Sequence, residues 1–97
     1  AGARAMQSEP PMALVYPHAG TAIYIPVELN GRLGRAVFRA VHQRSQAELF
    51  WHLDDRFLGK TRHFHEQAII AEPGWHTLTL VDDQGFRLRH RFMVLGK

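Results

Sequence analysis

Residues 48–54 read ELFWHLD, and the alternation within this short stretch decides the fold class. Its apolar residues Leu49, Trp51 and Leu53 fall on one side of an extended chain, with more polar neighbours between them. This period of two predicts a β-strand over Glu48–Asp54 that has one face in a hydrophobic core. We expect it to be a central strand with Trp51 buried between two sheets.

Similar short runs continue on both sides of this strand. From Met12 onward, β-branched and aromatic residues alternate with glycine, proline, asparagine and aspartate, and helical periodicity is almost absent. The runs predict strands at Met12–Tyr16, Ala22–Ile25, Arg35–His42, Phe57–Thr61, within Phe64–Ala71, at Trp75–Val81 and at Phe86–Leu95. Spacings of about 8–12 residues are typical of immunoglobulin-type sandwiches. We predict an all-β, immunoglobulin-like β-sandwich of seven to eight short, mainly antiparallel strands.

Composition limits the domain organisation and the function classes. The 97 residues suffice for one domain, and a net charge of +3 is too small for a nucleic-acid signature. No cysteine is present, which excludes disulfides and thiol nucleophiles, and no apolar run is long enough to span a membrane. Residues 1–11 close on Pro10-Pro11 and can bury little, so we predict a flexible linker there and an accessory domain over 12–97.

Turn chemistry identifies the residues expected to hold the fold together. Residues Glu72–Gly74 form a corner just before His76, where immunoglobulin domains often place a hydrogen-bonding tyrosine. Residues Asp82–Gly85 have turn chemistry and are expected to reverse the chain into a C-terminal hairpin. We therefore predict structural roles for Trp51, Gly74, His76, Asp82 and Gly85.

Three motifs in order resemble a known family. They are VYPHAGT at 15–21, WHLDDRFLG at 51–59 and EPGWHTLTLVDDQG at 72–85, followed by a last strand ending at Phe92–Val94. Together they resemble the C-terminal domain of the penicillin-binding protein 1C family of bifunctional peptidoglycan synthases. The resemblance spans Met12–Lys97, with Asp55 standing where the family has a turn glycine.

The resemblance implies a non-catalytic accessory or interaction domain in bacterial cell wall synthesis. The parent chain would be a peptidoglycan glycosyltransferase and transpeptidase, anchored so that this domain lies at the periplasmic face of the inner membrane. Expected partners are neighbouring domains of the parent synthase, peptidoglycan, or an α2-macroglobulin-like protein. The domain itself is expected to contact neither membrane nor nucleic acid.

Transpeptidase chemistry needs a serine followed three residues later by lysine, together with a Lys-Thr-Gly strand. The serines here are Ser8 and Ser45, and neither has that lysine. Lys60-Thr61-Arg62 has arginine where glycine would let substrate approach. We therefore predict no catalytic residue and no cofactor in this chain.

Histidines and paired aspartates are the remaining candidates for metal binding or acid–base chemistry. His63 and His65 would project from one face of a strand, but no third ligand is tied to them by spacing. Asp54-Asp55 and Asp82-Asp83 fall at strand ends, where aspartate commonly binds its own turn backbone. We predict no metal site and structural roles for these aspartates.

The last strand carries the best candidate binding surface. Arg87, Arg89 and Arg91 alternate along it, so their guanidinium groups should share one face and could bind carboxylates or phosphates. The alternative is a solvated face whose charges protect a sheet edge.

A different alternative for the whole chain is a carbohydrate-binding or adhesin-type sandwich from another surface protein, for which Phe50 and Trp75 are the candidate exposed aromatics.

Overall fold

The computed structural model describes residues 11–18, 20–32 and 34–96, and the regular structure in those ranges is entirely β. Residues 1–10 of the predicted linker lie outside the described residues. Within the described ranges, no helix is long and apolar enough to cross a membrane. The strands are β1 (Met12–Tyr16), β2 (Ala22–Tyr24), β3 (Ala36–His42), β4 (Glu48–Leu53), β5 (Arg56–Arg62), β6 (His65–Ile69), β7 (Gly74–Asp82) and β8 (Arg87–Leu95).

The strands form two sheets, as the sandwich prediction required. One sheet has the order β1-β3-β6, and the other has the order β2-β8-β7-β4-β5. All neighbours are antiparallel except β2 and β8, which run parallel. The predicted immunoglobulin-like β-sandwich is confirmed, and β4 lies between β7 and β5 as an interior strand.

The core lies between the sheets and is built from the inward residue of each alternating pair. Trp51 is fully buried, and Phe38 of β3 meets Phe92 of β8 edge to face with ring centroids 5.0 Å apart. This contact joins one sheet to the other. Four leucines of β4 and β7 complete this core and are all buried, namely Leu49, Leu53, Leu78 and Leu80.

Two local expectations are wrong. Phe86 precedes β8 and is 53% exposed, because its backbone N–H and carbonyl both bind Asp82 and keep it in the turn. His63 lies between β5 and β6 in a left-handed conformation with φ of 72°, so strand alternation does not place it beside His65. β2 pairs only with Met93–Leu95 of β8, so the stretch that carries Arg87, Arg89 and Arg91 has no strand partner on that side among the described residues, and edge protection stays a prediction.

Candidate functional site

The candidate arginines lie on the solvent-facing side of the five-stranded sheet, which we call the outer face. Arg87, Arg89 and Arg91 are all exposed, while the residues between them point inward. Arg91 differs from the other two, because its guanidinium carbon lies 4.6 Å from the ring centroid of Trp75. This cation–π contact holds Arg91 against β7 and leaves Arg87 and Arg89 as a separate pair.

Arg87 and Arg89 border a shallow depression of about 420 Å³ on the outer face. Strand register explains what lies across from them. Arg89 is opposite Thr79 on β7, Thr79 is opposite His52 on β4, and His52 is opposite Phe57 on β5. The adjacent row runs from Arg87 through Val81 and Phe50 to Lys60. Both rows therefore begin with an arginine on β8 and cross β7 to reach an aromatic side chain on β4 or β5.

An aromatic cluster forms the far side of this depression. The ring centroids of Phe50 and Phe57 are 6.4 Å apart, and those of His52 and Phe57 are 5.3 Å apart. Phe57 is 57% exposed. The sequence identified Phe50 but missed His52 and Phe57 as site residues, because their meeting depends on a register shift between Trp51 and His52 in the β4–β5 pair.

The charges around the depression are uneven. Among the described residues, no carboxylate lies within 4 Å of the Arg87 or Arg89 guanidinium groups, whereas Arg62 pairs with Glu48 at 2.6 Å. Asp54 and Asp55 lie at the rim near the β4–β5 turn. The arginine side can therefore attract one anionic group, while the acidic rim repels a second one nearby.

His76 stabilises the corner next to that rim. Its Nδ1 lies 2.8 Å from Asp54 Oδ2, and its Nε2 lies 2.7 Å from the Glu72 carbonyl oxygen. Both partners accept hydrogen bonds, so both ring nitrogens carry protons and the ring is an imidazolium. Burial lowers the pKa of His76, but the bonds to Asp54 and Glu72 outweigh it and raise the pKa above its ordinary value. Gly74, which opens β7 just before this residue, has a φ of 125°.

Asp82 organises the C-terminal hairpin from a buried position. Its Oδ1 accepts the backbone N–H groups of Gln84 and Phe86 at 2.9 Å each, and Gly85 closes the turn with a φ of 91°. His42 Nδ1 accepts the Arg44 N–H, so His42 Nε2 bears the proton that it donates to Asp82 Oδ2 at 2.9 Å. The pair has the histidine–aspartate arrangement of a catalytic triad, but neither side chain is exposed to solvent.

A second hydrogen-bonded chain joins the two sheets. Trp51 Nε1 donates to Thr61 Oγ1 at 2.9 Å, and the Thr61 hydroxyl donates its own proton to His65 Nδ1 at 2.7 Å. Burial, followed by repulsion from His42 and His63, lowers the pKa of His65. Within the described ranges, no three histidine or acidic side chains are grouped closely enough to hold a metal ion.

Comparison with known proteins identifies the family. The model of the Penicillin-Binding Protein C-terminus Family matches residues 1–92. The chain belongs to this family. No curated protein sequence matches the chain.

A solved structure similar to this penicillin-binding protein C-terminal domain supports the fold. It is described as "Structures of Clostridium thermocellum CbhA fibronectin(III)-like modules", with a TM-score of 0.60 and 15% identity. The match covers 89% of this chain and 96% of that chain. At this identity the similarity extends to the β-sandwich alone.

The residues nearest to transpeptidase motifs do not converge in the penicillin-binding protein C-terminal domain. Ser45 is exposed in the loop between β3 and β4. Lys60 lies 3.7 Å from Glu48, and the Thr61 hydroxyl is committed to Trp51 and His65. A fibronectin-like C-terminal domain with this arrangement is consistent with a non-catalytic part of its parent protein.

Proposed function

We propose that the chain is the accessory domain of a bifunctional penicillin-binding protein of the 1C type, and that its outer face binds an anionic partner during cell wall synthesis. The observation that carries this proposal is the Arg87–Arg89 pair. Both guanidinium groups are exposed beside an open depression and have no carboxylate partner in the described part of the chain. Planar guanidinium groups at this spacing suit carboxylates or phosphates.

The polar side chains that could support catalysis are engaged in structural bonds instead. His42 of β3 and Asp82 of the hairpin are bonded to each other with both side chains buried, and His65 is bound to Thr61. Ser45 has no hydrogen bond to a histidine that could act as its base, within the ranges that the structure describes. We therefore assign the transferase and transpeptidase chemistry to other domains of the parent chain.

Family membership supports a place in the cell envelope. In this proposal the domain lies at the periplasmic face of the inner membrane, beside the catalytic domains of the parent synthase. Peptidoglycan supplies carboxylates from its peptide stems, and an acidic patch on an α2-macroglobulin-like protein would supply the same chemistry. Either partner would meet the arginine side of the depression.

A carbohydrate-binding module of another surface protein is the second candidate. The exposed aromatic rings of Phe57 and Trp75 on the outer face favour it. Family membership favours the first candidate over this one, because the match covers nearly the whole chain.

Two measurements with the isolated 97-residue chain test the proposal. A labelled β-lactam should leave no covalent adduct on denaturing electrophoresis, and an adduct that disappears in Ser45→Ala would overturn the non-catalytic assignment. The chain should also co-sediment with purified peptidoglycan or with an acidic protein partner at low salt and lose this binding at high salt.

The charge-removal variant is Arg87→Gln/Arg89→Gln. Exposed pairs contribute about 0.2–1 kcal/mol each, so this double variant should bind about two- to thirty-fold more weakly. Arg39→Gln is the matched control, because Arg39 is also exposed but lies on the other sheet and pairs with Glu66. Equal losses in the two variants would show that overall charge, not this site, causes binding.

A further inference from the structure

We propose that the outer-face depression is a saccharide site, in which a carboxylate on the sugar binds Arg87 and Arg89 while the sugar ring lies on Phe57 and Phe50. This inference rests on the proposed function, because it specifies the anionic partner of the same arginines as a sugar with its own free carboxylate, and not as a peptide-stem carboxylate. It adds a second contact, between the sugar ring and the aromatic side chains, which binding of an anion by the arginines does not need.

The strand register sets the distance between the two contact points. Arg89 and Phe57 are separated by three strand spacings of about 4.7–4.9 Å, or roughly 14 Å between their backbones. Both side chains line the same depression, which has room for a small ring between them. A ligand must therefore be wider than a bare carboxylate to touch both sides.

The floor between these points offers hydrogen-bonding groups. Thr79 and His52 lie there, on β7 and β4. His52 Nδ1 is buried and has no hydrogen-bond partner among the described residues. An unpaired buried acceptor costs less than an unpaired buried N–H, so the ring proton belongs on Nε2. The Thr79 hydroxyl and this N–H are groups that can bind sugar hydroxyls.

Aromatic rings and charge together favour an acidic saccharide over other anions. Apolar faces of sugar rings can lie on exposed aromatic side chains, whereas a free inorganic anion gains nothing from Phe57. The carboxylates of Asp54 and Asp55 at the rim disfavour ligands with several negative charges. One carboxylate per ring matches one arginine pair.

The experiment is an amide-shift NMR titration of the 97-residue chain with two sugars that differ in one group. N-acetylmuramic acid carries a lactyl carboxylate, and N-acetylglucosamine is the same ring without it. We expect N-acetylmuramic acid to shift the amides of His52, Thr79, Arg87 and Arg89, and N-acetylglucosamine to bind several-fold more weakly. Sodium D-lactate, the carboxylate without the ring, should also bind more weakly than N-acetylmuramic acid.

Variants separate the two contact points. Phe57→Ala should weaken N-acetylmuramic acid binding about two- to ten-fold, and Arg89→Gln should remove the preference for it over N-acetylglucosamine. Phe64→Ala is the matched control for the ring, because Phe64 is 85% exposed outside the depression. Arg39→Gln is again the control for charge.

Three results would overturn the saccharide site: equal binding of the two sugars, unchanged affinity in Phe57→Ala, or binding of sodium D-lactate as tight as that of N-acetylmuramic acid. None of them would remove arginine-dependent binding to peptidoglycan or to an acidic protein. If that binding also fails in the sedimentation assay, the proposed function fails with it.

Discussion

Trp51 is the side chain on which both core packing and the polar link between the sheets depend. Its ring is fully buried, and its N–H begins the chain through Thr61 to His65. The alternation of residues 48–54 predicted the buried position. It could not reveal the partner, because alternation does not encode the β4–β5 register, in which Thr61 lies opposite Leu49 and Trp51 lies opposite Gly59.

Trp51→Ala should cost about 3–5 kcal/mol of unfolding free energy, because it removes a buried aromatic ring and leaves the Thr61 hydroxyl without its donor. Typical domains have only about 5–15 kcal/mol in total, so little folded protein should remain. Chemical denaturation followed by circular dichroism measures the loss. The control is Trp75→Ala, whose ring is half exposed, and it should change stability by less than about 1 kcal/mol. Similar losses in both variants would contradict the assignment of Trp51 to the core.

At the scale of elements, strand positions follow closely from apolar alternation, whereas strand partners do not. All eight strands lie within two residues of the predicted bounds, and β1 coincides with its prediction. The parallel pairing of β2 with β8 was not predicted, because three apolar or small residues carry no information about strand direction. The same limit hid the depression, which forms where the β4–β5 pair meets the β7–β8 pair in the sheet.

The C-terminal hairpin offers a test with two adjacent aspartates. Asp82 is buried and accepts three hydrogen bonds, whereas Asp83 is exposed and pairs with Arg44 at 2.6 Å. Asp82→Ala should cost about 3–5 kcal/mol, because it leaves buried donors unpaired. Asp83→Ala should cost far less, because solvent screens an exposed ion pair. Thermal unfolding of the two variants measures the difference, and equal melting temperatures would show that the turn does not depend on Asp82.

At the scale of the whole molecule, histidines with opposite pKa shifts should give opposite responses to pH. The pKa of His76 is raised, so its stabilising contribution is complete below about pH 6.5 and is lost as the pH rises through the folded-state value. The pKa of His65 is lowered by burial, so its contribution is present above about pH 6.5 and is lost as the pH falls through the folded-state value.

Denaturation of His76→Gln and His65→Gln at several pH values tests this contrast. The cost of His76→Gln should be about 1–3 kcal/mol near pH 5.5, where the imidazolium bonds are intact, and should shrink as the pH rises. The cost of His65→Gln should instead grow as the pH rises. Two costs that change in the same direction would contradict the assigned protonation states.

The parallel pairing of β2 and β8 determines how the domain bears mechanical force. Tension that enters through the chain before β2 and leaves through the chain after β8 pulls these two strands in opposite directions along their length. Their hydrogen bonds are then loaded together in shear, since the strands cannot separate one bond at a time. Gly20 N–H bound to the Arg91 carbonyl at 2.8 Å and Met93 N–H bound to the Thr21 carbonyl at 3.0 Å share that load. Three paired residues on a short strand thus resist sliding of β2 against the C-terminal strand.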